Sequence, residues 1–240
     1  MVEFLDLLVC IELYIQFYLF YSRLSLVRLN YLVCLSGVGK STIFVLNISF
    51  MSFYIHTYTS PMGAMMMAGE DDSLVGLWFV GQKYYRADRL ATCEEKMLPI
   101  FEQTQEWLDS YFAGCKPEYL PAIRLKGTSF QMDIWNILQS IPYGTTVTYK
   151  DIAGVMARKR GLHTMSAQAV GNAVGRNPIS VIVPCHRVVG SDGNLTGYAG
   201  GLARKMRLLA LEGVDTTQFH FSLSSETSEL SKLSLSDSLK

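Results

Sequence analysis

The chain has 240 residues, 49% of them hydrophobic and with no net charge, so it can bury a core in one or two domains. Five scattered cysteines with no CxxC pair, and four histidines with no HxxxH spacing, argue against a disulfide framework or a structural zinc site and make a reducing compartment the default. The zero net charge hides a division: residues 123–213 carry eleven Lys and Arg against four Asp and Glu, while residues 51–122 carry five against ten. A basic half beside an acidic one fits a polyanion-binding face, and it also fits a solvated surface.

Residues 1–50 read as a hydrophobic extension unlike the rest. The stretch 4–21 is apolar and aromatic, but Asp6 and Glu12 interrupt it. Two carboxylates there cost several kcal/mol to insert in a bilayer, which disfavours a membrane anchor, and a signal peptide lacks its basic start and cleavage site. Val38-Gly39-Lys40-Ser41-Thr42 resembles the end of a phosphate-binding P-loop, yet Cys34 stands where the first glycine belongs, so nucleotide binding is the weaker reading. Residues 51–122 predict a small α/β domain, with strand-like runs such as 74–80 and one helix over 94–112. Its Met97, Ile100, Phe101, Trp107, Leu108, Tyr111 and Phe112 recur near helical spacing and are expected in the core.

Residues 123–215 are denser in signals. Thr128 and Gln131 form a capping box ahead of a helix whose apolar face is Phe130, Ile134, Ile137, Leu138 and Ile141; Pro142 and Gly144 end it. A second helix starts at Thr148, with Asp151 three residues on, and a basic break follows at Arg158-Lys159-Arg160. Ser166 then caps a short third helix ending at Gly175, so the pair predicts a helix-turn-helix. That last helix is nearly bare: Ala167, Ala169, Gly171, Ala173 and Gly175 alternate along it. Glycine inside a helix costs about 0.5–1 kcal/mol relative to alanine, so close approach of another helix, or of a DNA groove, is implied. An apolar run over 179–183 predicts a strand, glycine-rich turns follow, and a final helix over 202–212 stops at Gly213. The remainder, 216–240, reads as a disordered tail.

Chemistry converges on Pro184-Cys185-His186-Arg187. A thiol attacks as thiolate, so Cys185 needs a base and a positive neighbourhood, which His186 and Arg187 offer. Neighbours in a strand point to opposite sides, so Cys185 and His186 can cooperate only through a turn or a bridging water. A third group should orient the imidazole. Glu212 is the candidate because it ends its helix, where a carboxylate opposes the dipole; a solvated surface glutamate is the competing reading.

The segment from Thr128 to Gly213 resembles the methylated-DNA–protein-cysteine methyltransferases (O6-alkylguanine-DNA alkyltransferases). The resemblance rests on Val183-Pro184-Cys185-His186-Arg187-Val188-Val189, Ile141-Pro142-Tyr143-Gly144, Thr148-Tyr149, Ala169-Val170-Gly171, Asn177-Pro178, Thr196-Gly197-Tyr198-Ala199-Gly200-Gly201 and Leu211-Glu212-Gly213. A weaker similarity reaches back through Gly76-Leu77-Trp78-Phe79 to Ser60-Pro61-Met62-Gly63.

The resemblance implies an α/β N-terminal domain followed by a mainly α, helix-turn-helix (winged-helix-like) domain that binds DNA and carries the chemistry. It implies a cytoplasmic or nuclear monomer that binds double-stranded DNA with an alkylated guanine and uses no cofactor or metal. Cys185 would take the alkyl group, with His186 as base through a water, Glu212 holding the imidazole, Tyr149 on the guanine N3 and Asn177 bracing the turn. Ala167, Gln168, Ala169, Gly171 and Arg187 would contact DNA, and Val174, Val188, Tyr198 and Ala199 would line the base pocket. Gln168 stands where many relatives carry an arginine, which implies weaker DNA binding. A protein that binds alkylated guanine without transfer is the rival, and it requires an inert Cys185.

Overall fold

The computed structural model describes residues 30–37, 40–47, 53–85 and 90–221; the apolar stretch 4–21 and the chain beyond 221 lie outside them. Strands β1 (Asn30–Gly37) and β2 (Lys40–Asn47) form an antiparallel hairpin with Gly37 opposite Lys40. Lys40, Ser41 and Thr42 therefore have extended, paired backbone. A P-loop needs this run to open a helix whose free N–H groups receive phosphate, so the nucleotide-binding reading loses its support.

Strands β3 (Phe53–Ser60), β4 (Gly63–Glu70) and β5 (Ser73–Phe79) make an antiparallel meander, and β6 (Glu94–Glu95) adds parallel to β3, in the order β5-β4-β3-β6. Met65, Met67, Leu77 and Phe79 of the sheet are fully buried, as are Phe101, Leu108 and Tyr111 of helix α1 (Pro99–Phe112), in one apolar core. A Cβ on Gly69 would lie 2.9 Å from the Phe101 ring, so this glycine permits the close approach of α1. The helix predicted over 94–112 begins only at Pro99. Leu98, the residue before proline, is extended, and Glu94 and Glu95 pair with Tyr54 and Ile55 instead.

In the C-terminal half, α2 (Ser129–Gln139) has the predicted capping box in both directions between Thr128 and Gln131. Helix α3 (Tyr149–Lys159) repeats it with Thr148 and Asp151, and Ser166 caps α4 (Ala167–Gly175). Helix α4 buries Val170, Ala173 and Val174, and the Trp135 indole N–H donates to the Ala173 carbonyl at 3.0 Å. Its small residues thus serve two surfaces: Ala173 lets α2 approach, while Ala167, Gln168 and Asn172 stay exposed. Strand β7 (Val147–Thr148) pairs parallel with β8 (Val188–Val189), and β9 (Asn194–Leu195) and helix α5 (Leu202–Leu211) follow. Beyond 215 the chain is not all tail. Asp215 caps a single 3-10 turn (Thr216–Gln218), Phe219 packs with Val189, Leu195 and Leu209, and β10 (His220–Phe221) pairs with β9.

The free edge of β5 receives two C-terminal segments. Leu74 exchanges backbone hydrogen bonds with residues 122 and 124, and Leu77 does so with Pro178 and Ser180. The run 179–183 is therefore not the predicted strand. Only Ile179 bridges to β5, and Val181 turns the chain at φ +70, a region that β-branched residues avoid. Among the described residues no helix is long and apolar enough to cross a membrane, and no group of His, Cys, Asp or Glu is placed to hold a metal ion.

Candidate active site

The turn before Cys185 carries backbone hydrogen bonds from Ile182, Val183 and Cys185, while Pro178 and Pro184 lack an N–H. Asn177 adds to them from its side chain. Its Nδ2 donates to the Val183 carbonyl at 2.7 Å and the Ile179 carbonyl at 3.1 Å, and its Oδ1 accepts the Ile179 N–H. The same Nδ2 lies 3.1 Å from Cys185 Sγ. An amide nitrogen has two protons for these three acceptors, so one is shared. Cys185 then opens a 3-10 turn (Cys185–Arg187), which removes the strand geometry that would set Cys185 and His186 on opposite sides.

Glu212 gathers the site. Its Oε1 accepts from the Tyr111 hydroxyl (2.7 Å) and Arg187 Nη2 (2.9 Å) and pairs with His186 Nε2 (2.8 Å). Its Oε2 accepts from Arg187 Nε (2.8 Å) and the Gly144 N–H (3.1 Å). Burial pushes the Glu212 carboxyl up, but the His186 and Arg187 hydrogen bonds outweigh it and hold the group well below the usual carboxylate range. His186 is fully buried and pushed down, chiefly by burial, with Glu212 opposing. With Nε2 turned to Glu212, the basic nitrogen is Nδ1, which has no hydrogen-bond partner among the described residues. Cys185 is only 5% exposed; burial pushes its thiol up, against the Asn177 hydrogen bond and the Lys205 charge.

A groove of about 1190 Å³ runs between α4 and the loop 196–201, and residues 81–84 of the N-terminal domain also line it. Tyr149, Gln168, Gly171, Tyr198 and Ala199 line it together. The Tyr149 hydroxyl donates to the Thr196 carbonyl at 3.1 Å, and a Cβ on Gly197 (φ +66) would lie 3.0 Å from the Tyr149 hydroxyl oxygen. The Lys83 N–H donates to the Ala199 carbonyl and ties the loop to the N-terminal domain.

Cys185, His186, Asn177 and Glu212 thus come together. Ala167, Gln168 and Gly171 line the groove, and Ala169 is half-buried on the same helix. One assignment needs correction. Arg187 was expected on DNA but is buried, with its donors taken by Glu212 and the Ile141 carbonyl. A guanidinium bound bidentately to a buried carboxylate is not available to phosphate. Val174 and Val188, which the resemblance assigns to the base pocket, are fully buried in the core and, like Cys185 and His186, lie behind the groove surface rather than on it. Two residues escaped the sequence reading. Lys205 is fully buried, donates to the Val188 and Thr196 carbonyls at 2.6 and 2.7 Å, and is pushed down to about 8 by burial. A cation on the same helical stripe as Leu202, Leu208 and Leu209 was its visible signal. Tyr111 read only as core, because its partner lies 101 residues away.

A buried cysteine held by an asparagine and flanked by a His–Glu pair, in the same helical half that carries the groove, is the arrangement of a single-cysteine nucleophile site. The family model for the 6-O-methylguanine DNA methyltransferase DNA-binding domain matches residues 129–214, and that for the family's ribonuclease-like domain matches residues 53–120. The methylated-DNA–protein-cysteine methyltransferase of Mycolicibacterium paratuberculosis is 44% identical over 65% of this chain and 90% of its own length; that of Methanosarcina acetivorans is 40% identical over 67% and 98%. The crystal structure of Mycobacterium tuberculosis O6-methylguanine methyltransferase aligns with TM-score 0.58 at 38% identity, over 72% of this chain and 98% of that one. A crystal structure of the M. tuberculosis protein with DNA aligns with TM-score 0.57, over 69% and 94%. The chain belongs to the methylated-DNA–protein-cysteine methyltransferase family.

Proposed function

We propose that this protein repairs DNA by moving the alkyl group of O6-alkylguanine onto Cys185, once per molecule and without a cofactor. The observation that carries this reading is the Cys185 thiol held by Asn177 beside a His186 whose Nε2 is fixed by Glu212, which leaves Nδ1 as the base. In this reading the damaged base leaves the stack, α4 lies in the minor groove, and the base enters between Tyr149 and the loop 196–201.

His186 Nδ1 takes the thiol proton through a water. Sγ attacks the alkyl carbon in line, the S–C bond forms and the C–O6 bond breaks. Tyr149 exchanges its Thr196 carbonyl for the guanine N3 and donates there, so the base does not depart as a free anion. In sum, the thiol proton ends on the restored guanine. The thioether is stable in water, which makes the protein a single-use reagent. The buried thiol fits this role: it stays protonated and unreactive until DNA brings the alkyl group and closes the site.

The test is incubation with an oligonucleotide carrying O6-methylguanine followed by intact-mass measurement. One added methyl group per molecule, absent in Cys185→Ala, is expected. Unmodified protein under conditions where that DNA binds would identify a recognition protein instead.

A further inference from the structure

We infer that Tyr111, a residue of the N-terminal domain, is a positioning residue for alkyl transfer: its hydroxyl loads the same Glu212 oxygen that holds His186, and so sets how strong a base the imidazole is. The inference rests on the reading of His186 as the base.

Tyr111 lies on α1, and among the described residues of that half it alone brings a side chain to the Glu212 carboxylate. Its hydroxyl is 2.7 Å from Glu212 Oε1 and 3.4 Å from His186 Nε2, so both groups of the relay meet it. The aim of the phenol is fixed by rings on several sides: Trp107 stacks at 5.3 Å, and Phe112 and Tyr143 meet its ring edge-to-face at 5.5 and 6.1 Å. Burial first, and the Glu212 charge next, hold the phenol far above its ordinary value, so it stays protonated. Its single proton goes to Glu212, which leaves the phenol oxygen as a weak second acceptor for His186 Nε2–H. That arrangement favours the tautomer with Nδ1 free to act as base.

The electrostatic consequence has a definite sign. The charged and titratable groups facing His186 are Glu212 and Lys205 from α5, Arg187 and Cys185 from its own turn, Tyr198 from the loop 196–201, and Tyr111 from α1. Among them only the Glu212 charge favours imidazolium. Each donor on Oε1 neutralises part of that charge, so Tyr111 weakens the hold of Glu212 on a protonated His186 and keeps the imidazole neutral to lower pH. Removing the hydroxyl strengthens that hold.

The experiment uses the full chain and single-turnover transfer from an O6-methylguanine oligonucleotide, measured from pH 5 to 9. Tyr111→Phe is expected to move the acid limb of the rate profile up by about 0.5–1 pH unit, as fits a lost hydrogen bond to a buried charge. A fluorinated tyrosine at 111 keeps the shape but donates more strongly, and it is expected to move the limb down. A limb unmoved in both proteins, even with slower transfer at every pH, overturns the inference and leaves Tyr111 a packing residue. Should Tyr111→Phe fail to fold, the fluorinated protein decides alone by the direction of its shift. Absence of transfer by the unaltered protein at all pH values overturns the function itself, and this inference with it.

Discussion

Glu212 accepts hydrogen bonds from Tyr111, Arg187 and Gly144 and pairs with His186, at the end of a helix where its charge opposes the dipole. Removing the charge leaves the Arg187 guanidinium buried and unpaired. Glu212→Gln is therefore expected to lose about 3–5 kcal/mol of stability at pH 7, read by denaturant unfolding. The pH dependence follows from the shifts. Glu212 is held below its unfolded value, so its stabilisation is present above about pH 4.5 and is lost as pH falls through the folded value. His186 is also held below its unfolded value by burial. The unfolded chain binds the extra proton as pH falls below about 6.5, which again lowers stability. Both effects share a sign, so thermal melts from pH 8 to 4 should show a falling Tm, and Glu212→Gln should flatten the lowest part of that curve. At Asn177 the side chain is both the turn's brace and a donor to sulfur. Asn177→Ala is expected to slow transfer by about tenfold to a hundredfold, the worth of one hydrogen bond to a developing thiolate. A transfer rate within twofold of the unaltered protein would remove Asn177 from the chemistry.

At the scale of elements, α4 is built for close approach at the expense of its own helical stability. A Cβ added to Gly171 would sit 3.7 Å from the Tyr149 ring, an ordinary contact. Gly171→Ala should therefore stabilise the fold by up to about 0.5–1 kcal/mol while weakening binding to duplex DNA, because the added methyl group projects into the groove. Stability and affinity moving together, seen by thermal melts and fluorescence anisotropy, would contradict the groove reading. Gln168, exposed at the start of the same helix, lacks the charge of an arginine. Gln168→Arg should tighten DNA binding and steepen its salt dependence by about one phosphate's worth. The caps at Thr128, Thr148 and Ser166 were legible in the sequence because each is settled by hydrogen bonds within three residues. The start of α1 was misread because apolar periodicity continued across Pro99, whose steric effect on Leu98 decided the boundary.

Across the whole molecule the two halves share one core and one site. The core runs from Met65, Phe79 and Phe101 to Ile134, Val183 and Leu208, and the edge of β5 is completed by residues 122–124 and 178–180. The Arg204 guanidinium crosses the same boundary: it donates to the Met62 carbonyl at 2.8 Å and lies over the Phe79 ring. A fragment beginning at residue 123 is therefore expected to lose the cooperative unfolding of the full chain and to bind hydrophobic dyes, a result readable by circular dichroism and dye fluorescence. A fragment that melts as sharply as the intact protein would show that the shared core is not needed.

By itself the sequence determined what local chemistry controls: the helix caps, the bare face of α4, the Cys185–His186 pair and the misplaced carboxylate of Glu212. It could not determine which polar groups the fold would enclose. Arg187 read as a DNA contact beside Cys185 and is inside, Lys205 read as an unremarked helix residue and is fully buried, and Tyr111 read as core and touches the relay. Tertiary structure decided these because a buried charge is stable only beside its partners, and those partners come from segments that meet only after the two halves have packed together.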